Sequence, residues 1–84
     1  MLNLLTYHLN APAYEEIKEK IGGWIEVIHF SNGDILVVDE EGKLKGLGVN
    51  LQATEVYMRE FGTSHVIVGP AILIKAEARD PHWW

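Results

Sequence analysis

The residue pattern predicts an α+β fold, a mainly antiparallel sheet carrying two helices on one face, with its elements in βαββαβ (ferredoxin-like) order. Three observations predict it. Asn32-Gly33 stands between two runs rich in β-branched and aromatic residues and reads as a β-hairpin turn. Two stretches carry apolar residues at helical spacing, Tyr14/Ile17/Ile21 and Ala53/Val56/Tyr57/Phe61, and glycine follows each. A last apolar run, His65 to Ala76, has strand character.

Taken in order, Leu2 to Leu9 alternates imperfectly between apolar and polar residues and predicts a first strand. Asn10 offers an N-cap and Pro12 suits a first helical turn, so the first helix covers AYEEIKEKI and stops at Gly22-Gly23. Tyr14 is expected in the core with its hydroxyl at the edge. Past the hairpin, Glu41-Gly42 forms a second turn, and Lys43 to Leu47 adds an optional short strand. Asn50 caps the second helix, LQATEVYMREF, and Gly62 ends it. Within the last apolar run, Gly69-Pro70 implies a bulge or an edge position, because proline cannot donate to a central ladder.

Eighty-four residues form a single domain, 1–84, in which 77–84 is a short tail ending in Trp83 and Trp84. Hydrophobic residues make up 48% and charged residues 23%, a globular composition that argues against disorder. The net charge of −5, with seven scattered basic residues, argues against a direct nucleic-acid binder, which needs clustered cations. With no cysteine, disulfides, thiolate metal sites and cysteine nucleophiles are excluded together. No apolar run reaches the roughly 20 residues of a membrane helix, and no basic leader is present, so a cytoplasmic location is expected.

A two-residue turn at Asn32-Gly33 sets Phe30 against Ile35, Ile28 against Val37, Glu26 against Asp39 and Trp24 against Glu41. Both faces of the sheet then come out apolar. Two helices on one face leave the other exposed, and at ~25 cal/mol per Å² several kcal/mol of burial would be forgone. Three covers offer themselves: the tail with its tryptophans, a second copy of the chain, or a heterologous partner. A homodimer is the expected one. Glu26 and Asp39, directly opposed, either splay into solvent or grip a cation or a partner's Arg or Lys.

No catalytic residue, metal site or cofactor is assigned. His8, His29, His65 and His82 have no metal-ligand spacing, Ser31 and Ser64 lie in no nucleophile elbow, and GKLKGLG lacks phosphate-loop context.

The blocks GGWIEV (22–27), DEEGKLKGL (39–47), Asn50 with Ala53, and VIVGPAIL (66–73) resemble a small domain family of unknown function encoded widely by bacteriophages and other mobile elements. One departure is Gly48-Val49, where the family pattern has proline before the asparagine. The resemblance implies a phage or plasmid accessory gene and carries over no catalytic residue. Small acidic proteins of that origin often bind a host component, so the expected function is non-enzymatic: binding that masks or sequesters a host factor, with an anti-defence role among the options. Trp24, Glu26, Asp39, Glu41, Lys43 and Asn50 are the candidate partner-binding residues, with the loop Gly42 to Asn50. The alternative is a small-ligand or nucleotide binder, open to hydrolytic activity, with a pocket between protomers and His29 or His65 as acid/base.

Overall fold

The run ILVVD has no polar residue before its aspartate, and such a strand is stable only with both faces covered. In the computed structural model, which describes residues 4–63 and 65–79, this run is strand β3 (Ile35–Asp39), buried throughout. Around it lie β1 (Leu4–Tyr7), helix α1 (Tyr14–Ile21), β2 (Ile25–His29), helix α2 (Leu51–Phe61), β4 (Ala71–Ile74) and a 3₁₀ turn, Ala76–Ala78. The fold is α+β, with two helices and a four-stranded sheet, and the βαββαβ order along the chain holds.

Two features of the expected architecture do not hold. Two of the three strand pairings are antiparallel, as expected, but β1 pairs with β4 in parallel, so the sheet is mixed and its strand order, β1-β4-β3-β2, is not the ferredoxin-like one. β4 therefore sits inside the sheet, whereas a ferredoxin-like arrangement puts its last strand at an edge. The apolar sequence AILI suits that interior place, and Pro70 is spared a ladder position because the strand begins only after it. Residues 65–70 are not strand; one isolated bridge, Val68 to Val49, is all the pairing they make.

The helices also lie on opposite faces rather than on one. Ile17 and Ile21 of α1 pack on Ile35, Val37, Ile72 and Ile74, joined by Ala78. Ala53 of α2 packs on Leu36, Val38 and Ala71, joined by Phe30 and Ile67. Strand residues of opposite parity thus feed two cores, and one helix on each side satisfies a sheet apolar on both. The burial argument for a second copy of the chain is met within a single chain.

The hairpin register is shifted by one residue. Ile25 pairs with Asp39, Glu26 with Val38, Val27 with Val37, Ile28 with Leu36 and His29 with Ile35. The loop has three residues, Ser31 to Gly33, closed by the Phe30 N–H donating to the Asp34 carbonyl at 2.9 Å. Gly33 alone takes the left-handed conformation, φ +94°, giving a type I turn with a bulge glycine. Asp34 fixes this choice: Asn32 Oδ1 accepts its N–H at 2.9 Å, while its carboxylate accepts from Lys75 Nζ at 2.6 Å and the Ala76 N–H at 2.8 Å. Arg79 adds a bond from its guanidinium to the Gly33 carbonyl, so the tail's first residues clasp the hairpin. Trp83, Trp84 and His82 lie outside the described residues, as do Leu2 and Ser64, and the first strand is described over Leu4–Tyr7.

Local signals fare unevenly. Gly22 and Gly62 end their helices in the left-handed region, and Asn50 Oδ1 caps α2 by accepting the Ala53 N–H at 3.0 Å. Asn10 is not a cap: α1 starts after Ala13, and Asn10 instead turns the chain at φ +55°. Lys43 to Leu47 is no strand but a coil of successive turns, held by the Lys45 N–H on the Glu41 carbonyl and the Leu47 N–H on the Gly42 carbonyl. Gly42 and Gly46 permit it. A Cβ on Gly42 would stand 2.9 Å from Val68, and Gly46 has φ +69°.

Candidate functional site

The α2 side of the sheet is not covered evenly. α2 runs from the start of β1, where Gln52 accepts the Leu4 N–H, to the hairpin tip, where Glu60 accepts from Ser31. That diagonal leaves Ile28 and Val38, at the β2 side, as the floor of a cleft of ≈ 480 Å³. Tyr57 of α2 and the segment His65 to Val68 line it, with Glu26, Glu40, Lys43 and Leu44.

Ring stacking builds the α2 side. Phe30 meets Phe61 edge-on at 5.6 Å, Tyr57 meets Phe61 at 4.5 Å, and the His65 ring lies 4.9 Å from Tyr57. Such pairs add a fraction of a kcal/mol or more each beyond burial and hold the rings in place. The 65–68 segment is anchored independently, since the Ile67 N–H donates to Thr54 Oγ1 and the Asn50 N–H donates to the Ile67 carbonyl.

The rim combines charge with exposed apolar surface. Leu44 is 87% exposed and Val66 45%, unusual for large apolar side chains on one small opening. Glu26 and Glu40 are exposed, and neither carboxylate has an ion-pair partner among the described residues. The arrangement offers an apolar floor, two free carboxylates and a lysine: recognition chemistry. Among the described residues no carboxylate forms an ion pair with His65, and no group of three or more His, Asp or Glu could hold a metal ion.

Of the six candidate residues, Glu26, Asp39 and Lys43 border this cleft. Glu26 and Asp39 are not opposed, however: they sit at different pairs and on different faces of the sheet. The Asp39 carboxylate is 1% exposed and already engaged, accepting from Lys45 Nζ and from the Glu41 N–H, each at 2.8 Å. Burial pushes that carboxyl up, but the two donors more than offset it and hold it below its ordinary value. Asp39 is a brace for the 40–46 turns. Glu41 supplies a backbone N–H to that brace and points its own residue to solvent.

Asn50 is fully buried and structural, capping α2 with its oxygen while its amide donates to the Gly69 carbonyl at 3.0 Å. Trp24 is 61% exposed and lies apart from the cleft, beneath Lys18 Nζ at 4.2 Å from the ring centre. His29 is exposed on the α1 side of β2, away from His65. Of the other lining residues, His65 is the alternative reading's acid/base candidate and Leu44 lies in the candidate loop Gly42 to Asn50, but Tyr57 is expected only in the inward stripe of the second helix, because an aromatic on a helix stripe reads equally as core.

No helix among the described residues is long and apolar enough to cross a membrane. Comparison with curated proteins and with solved structures gives no match. A family model, the domain of unknown function DUF3846, matches residues 6–82, which takes in both helices, strands β2 to β4, the end of β1 and every element bordering the cleft. The chain belongs to the DUF3846 family, a domain of unknown function.

Proposed function

We propose that this chain is a non-enzymatic binding protein that takes a partner macromolecule into the cleft over Ile28 and Val38 and thereby masks it. The observation that carries the reading is the lip: Leu44, 87% exposed, and Val66, 45% exposed, flank an opening whose floor is apolar and whose free groups are charged. Large apolar side chains left in water around a concavity are characteristic of interaction sites. The phage and mobile-element character of the resembling family favours a host protein in the host cytoplasm as the partner, with interference in a defence pathway as the role.

Leu44→Asp combined with Val66→Asp changes the lip and touches neither core. Capture from host lysate by the native chain, compared with this variant, tests the reading. A specific species held by the first and lost by the second supports it, and an identical captured set in both refutes it. The Tyr57/His65 ring pair on the wall favours a second reading, a small planar ligand such as a nucleotide. A melting-temperature rise with a nucleotide, and no captured protein, would select it.

A further inference from the structure

β2 forms one end of the sheet, and its outer edge has no partner strand among the described residues. Which backbone groups face outward follows from the hairpin. The Phe30 N–H bonds to the Asp34 carbonyl and the Glu40 N–H to the Trp24 carbonyl, so the hydrogen-bonded pairs are Phe30/Asp34, Ile28/Leu36, Glu26/Val38 and Trp24/Glu40. Their alternates, Ile25, Val27 and His29, turn N–H and C=O away from β3. These three residues present an open ladder of donors and acceptors directly beside the cleft, which Glu26, Val27 and Ile28 help to line.

From this juxtaposition we infer that the cleft takes an extended, basic polypeptide segment that adds to β2 as a fifth strand. The inference rests on the binding reading above and names the partner's chemistry. A strand laid antiparallel on β2 bonds to Ile25, Val27 and His29, and its intervening side chains stand over the cleft. The residue opposite Ile28 meets the apolar floor. The residue two further along lies opposite Glu26, a carboxylate without an ion-pair partner, with Glu40 on the same cleft. An apolar residue followed two positions later by Lys or Arg is the pattern that fits, with small polar residues between.

Charge complementarity selects this occupant over a second copy of the chain. Two β2 strands paired about Val27 would set Glu26 against Ile28 of the other copy and bring the two Glu26 carboxylates to the same face, diagonal to each other. That pairing sets no Lys or Arg of either β2 strand opposite Glu26. The chain's net charge of −5 opposes self-pairing further and favours a basic segment.

The test uses a short fluorescein-labelled peptide that alternates threonine with valine and lysine, the last two in the spacing above. Its counterparts carry glutamate for lysine, or N-methyl groups on the amides that would face β2. Anisotropy gives affinity, and amide hydrogen exchange of the whole chain gives the site. Strand addition requires binding that slows exchange at Ile25, Val27 and His29, is lost with N-methylation, and weakens roughly three- to tenfold on Glu26→Lys or on the lysine-to-glutamate change. Binding that leaves those three amides unprotected overturns strand addition while leaving a cleft binder standing. Protection of the same amides without peptide, rising with protein concentration, overturns it in favour of self-pairing. No peptide binding, alongside a lysate partner still lost on Leu44→Asp with Val66→Asp, refutes this inference alone. Loss of both refutes the binding reading as well.

Discussion

Asp34 and Lys75 meet at 2.6 Å and bolt the hairpin to the chain leaving β4. The carboxylate is almost wholly buried, and burial alone would raise its pKa; the Lys75 ammonium, the Ala76 N–H and the Asn32 amide more than offset this and hold it low. The same contact raises Lys75 against the opposing effect of its own partial burial. A depressed carboxyl stabilises fully above its unfolded value of about 3.9, and that stability is lost as pH falls through the lower folded value. For Lys75 the stabilisation is full below about 10.4 and is lost as pH rises through the higher folded value. Both describe one interaction. Asp34→Ala is expected to cost about 2–3 kcal/mol at neutral pH, discounted because Lys75 keeps partial solvent access, and to flatten the acid limb of the stability curve. Urea melts between about pH 2 and 7 check both.

Asn50, wholly buried, uses both ends of its amide. Asn50→Ala strips the cap from α2 and leaves the Gly69 carbonyl without its donor, in a site 0% exposed. A loss of about 2–4 kcal/mol is expected, against under about 0.5 for Leu51→Ala one residue on, which is 67% exposed. Equal effects of the two in urea denaturation would mean that the buried amide is not what seats the helix.

Gly33 and Gly22 separate backbone strain from contact. Both have positive φ, +94° and +90°, but an added Cβ at Gly33 meets Ala76 Cβ at 3.1 Å, whereas at Gly22 nothing lies within 4 Å. Each alanine substitution costs about 1 kcal/mol for the conformation. Gly33→Ala is expected to cost more, by up to about another 1 kcal/mol, because the turn at Ala76 must shift. Equilibrium unfolding of the two variants measures the difference, and a Gly22→Ala cost as large as that of Gly33→Ala would remove any role for the contact.

The turn itself was legible at Asn32-Gly33, yet its register was not. Asn-Gly serves a two-residue turn with positive φ at both positions and a three-residue loop with positive φ at glycine only. The choice is made by Asp34 through Lys75 and Ala76, more than forty residues along the chain, and no local pattern carries that. One residue of slip exchanges the faces of β2 relative to β3, so it produced a Glu26/Asp39 clash that does not exist. The apolar character of both faces was readable from alternate positions of β3 and β4. Which helix covers which face depends on how the chain crosses the sheet, and helical periodicity is silent on that. The site was half legible for a similar reason: Glu26 and Lys43 are surface charges at the right end of the hairpin, while a capping asparagine and a binding asparagine look alike until burial separates them.

Glu26 and Val38 are cross-strand partners, which reverses an expectation built on the slipped register. Were Glu26 set against Asp39, Glu26→Gln would relieve repulsion and stabilise the fold. Opposite a valine, with no ion-pair partner among the described residues and its side chain exposed, the carboxylate has little to do with stability. Glu26→Gln is therefore expected to leave the unfolding free energy within about 0.5 kcal/mol of the native value. Asp39→Asn, by contrast, is expected to cost about 1–2 kcal/mol, because its carboxylate is 1% exposed and holds Lys45 and the Glu41 N–H. Chemical denaturation of the two variants side by side checks the pair. A stabilised Glu26→Gln would mean that the two carboxylates do face each other in solution, and the hairpin would have to be re-registered with everything that follows from it, the outward ladder of Ile25, Val27 and His29 included.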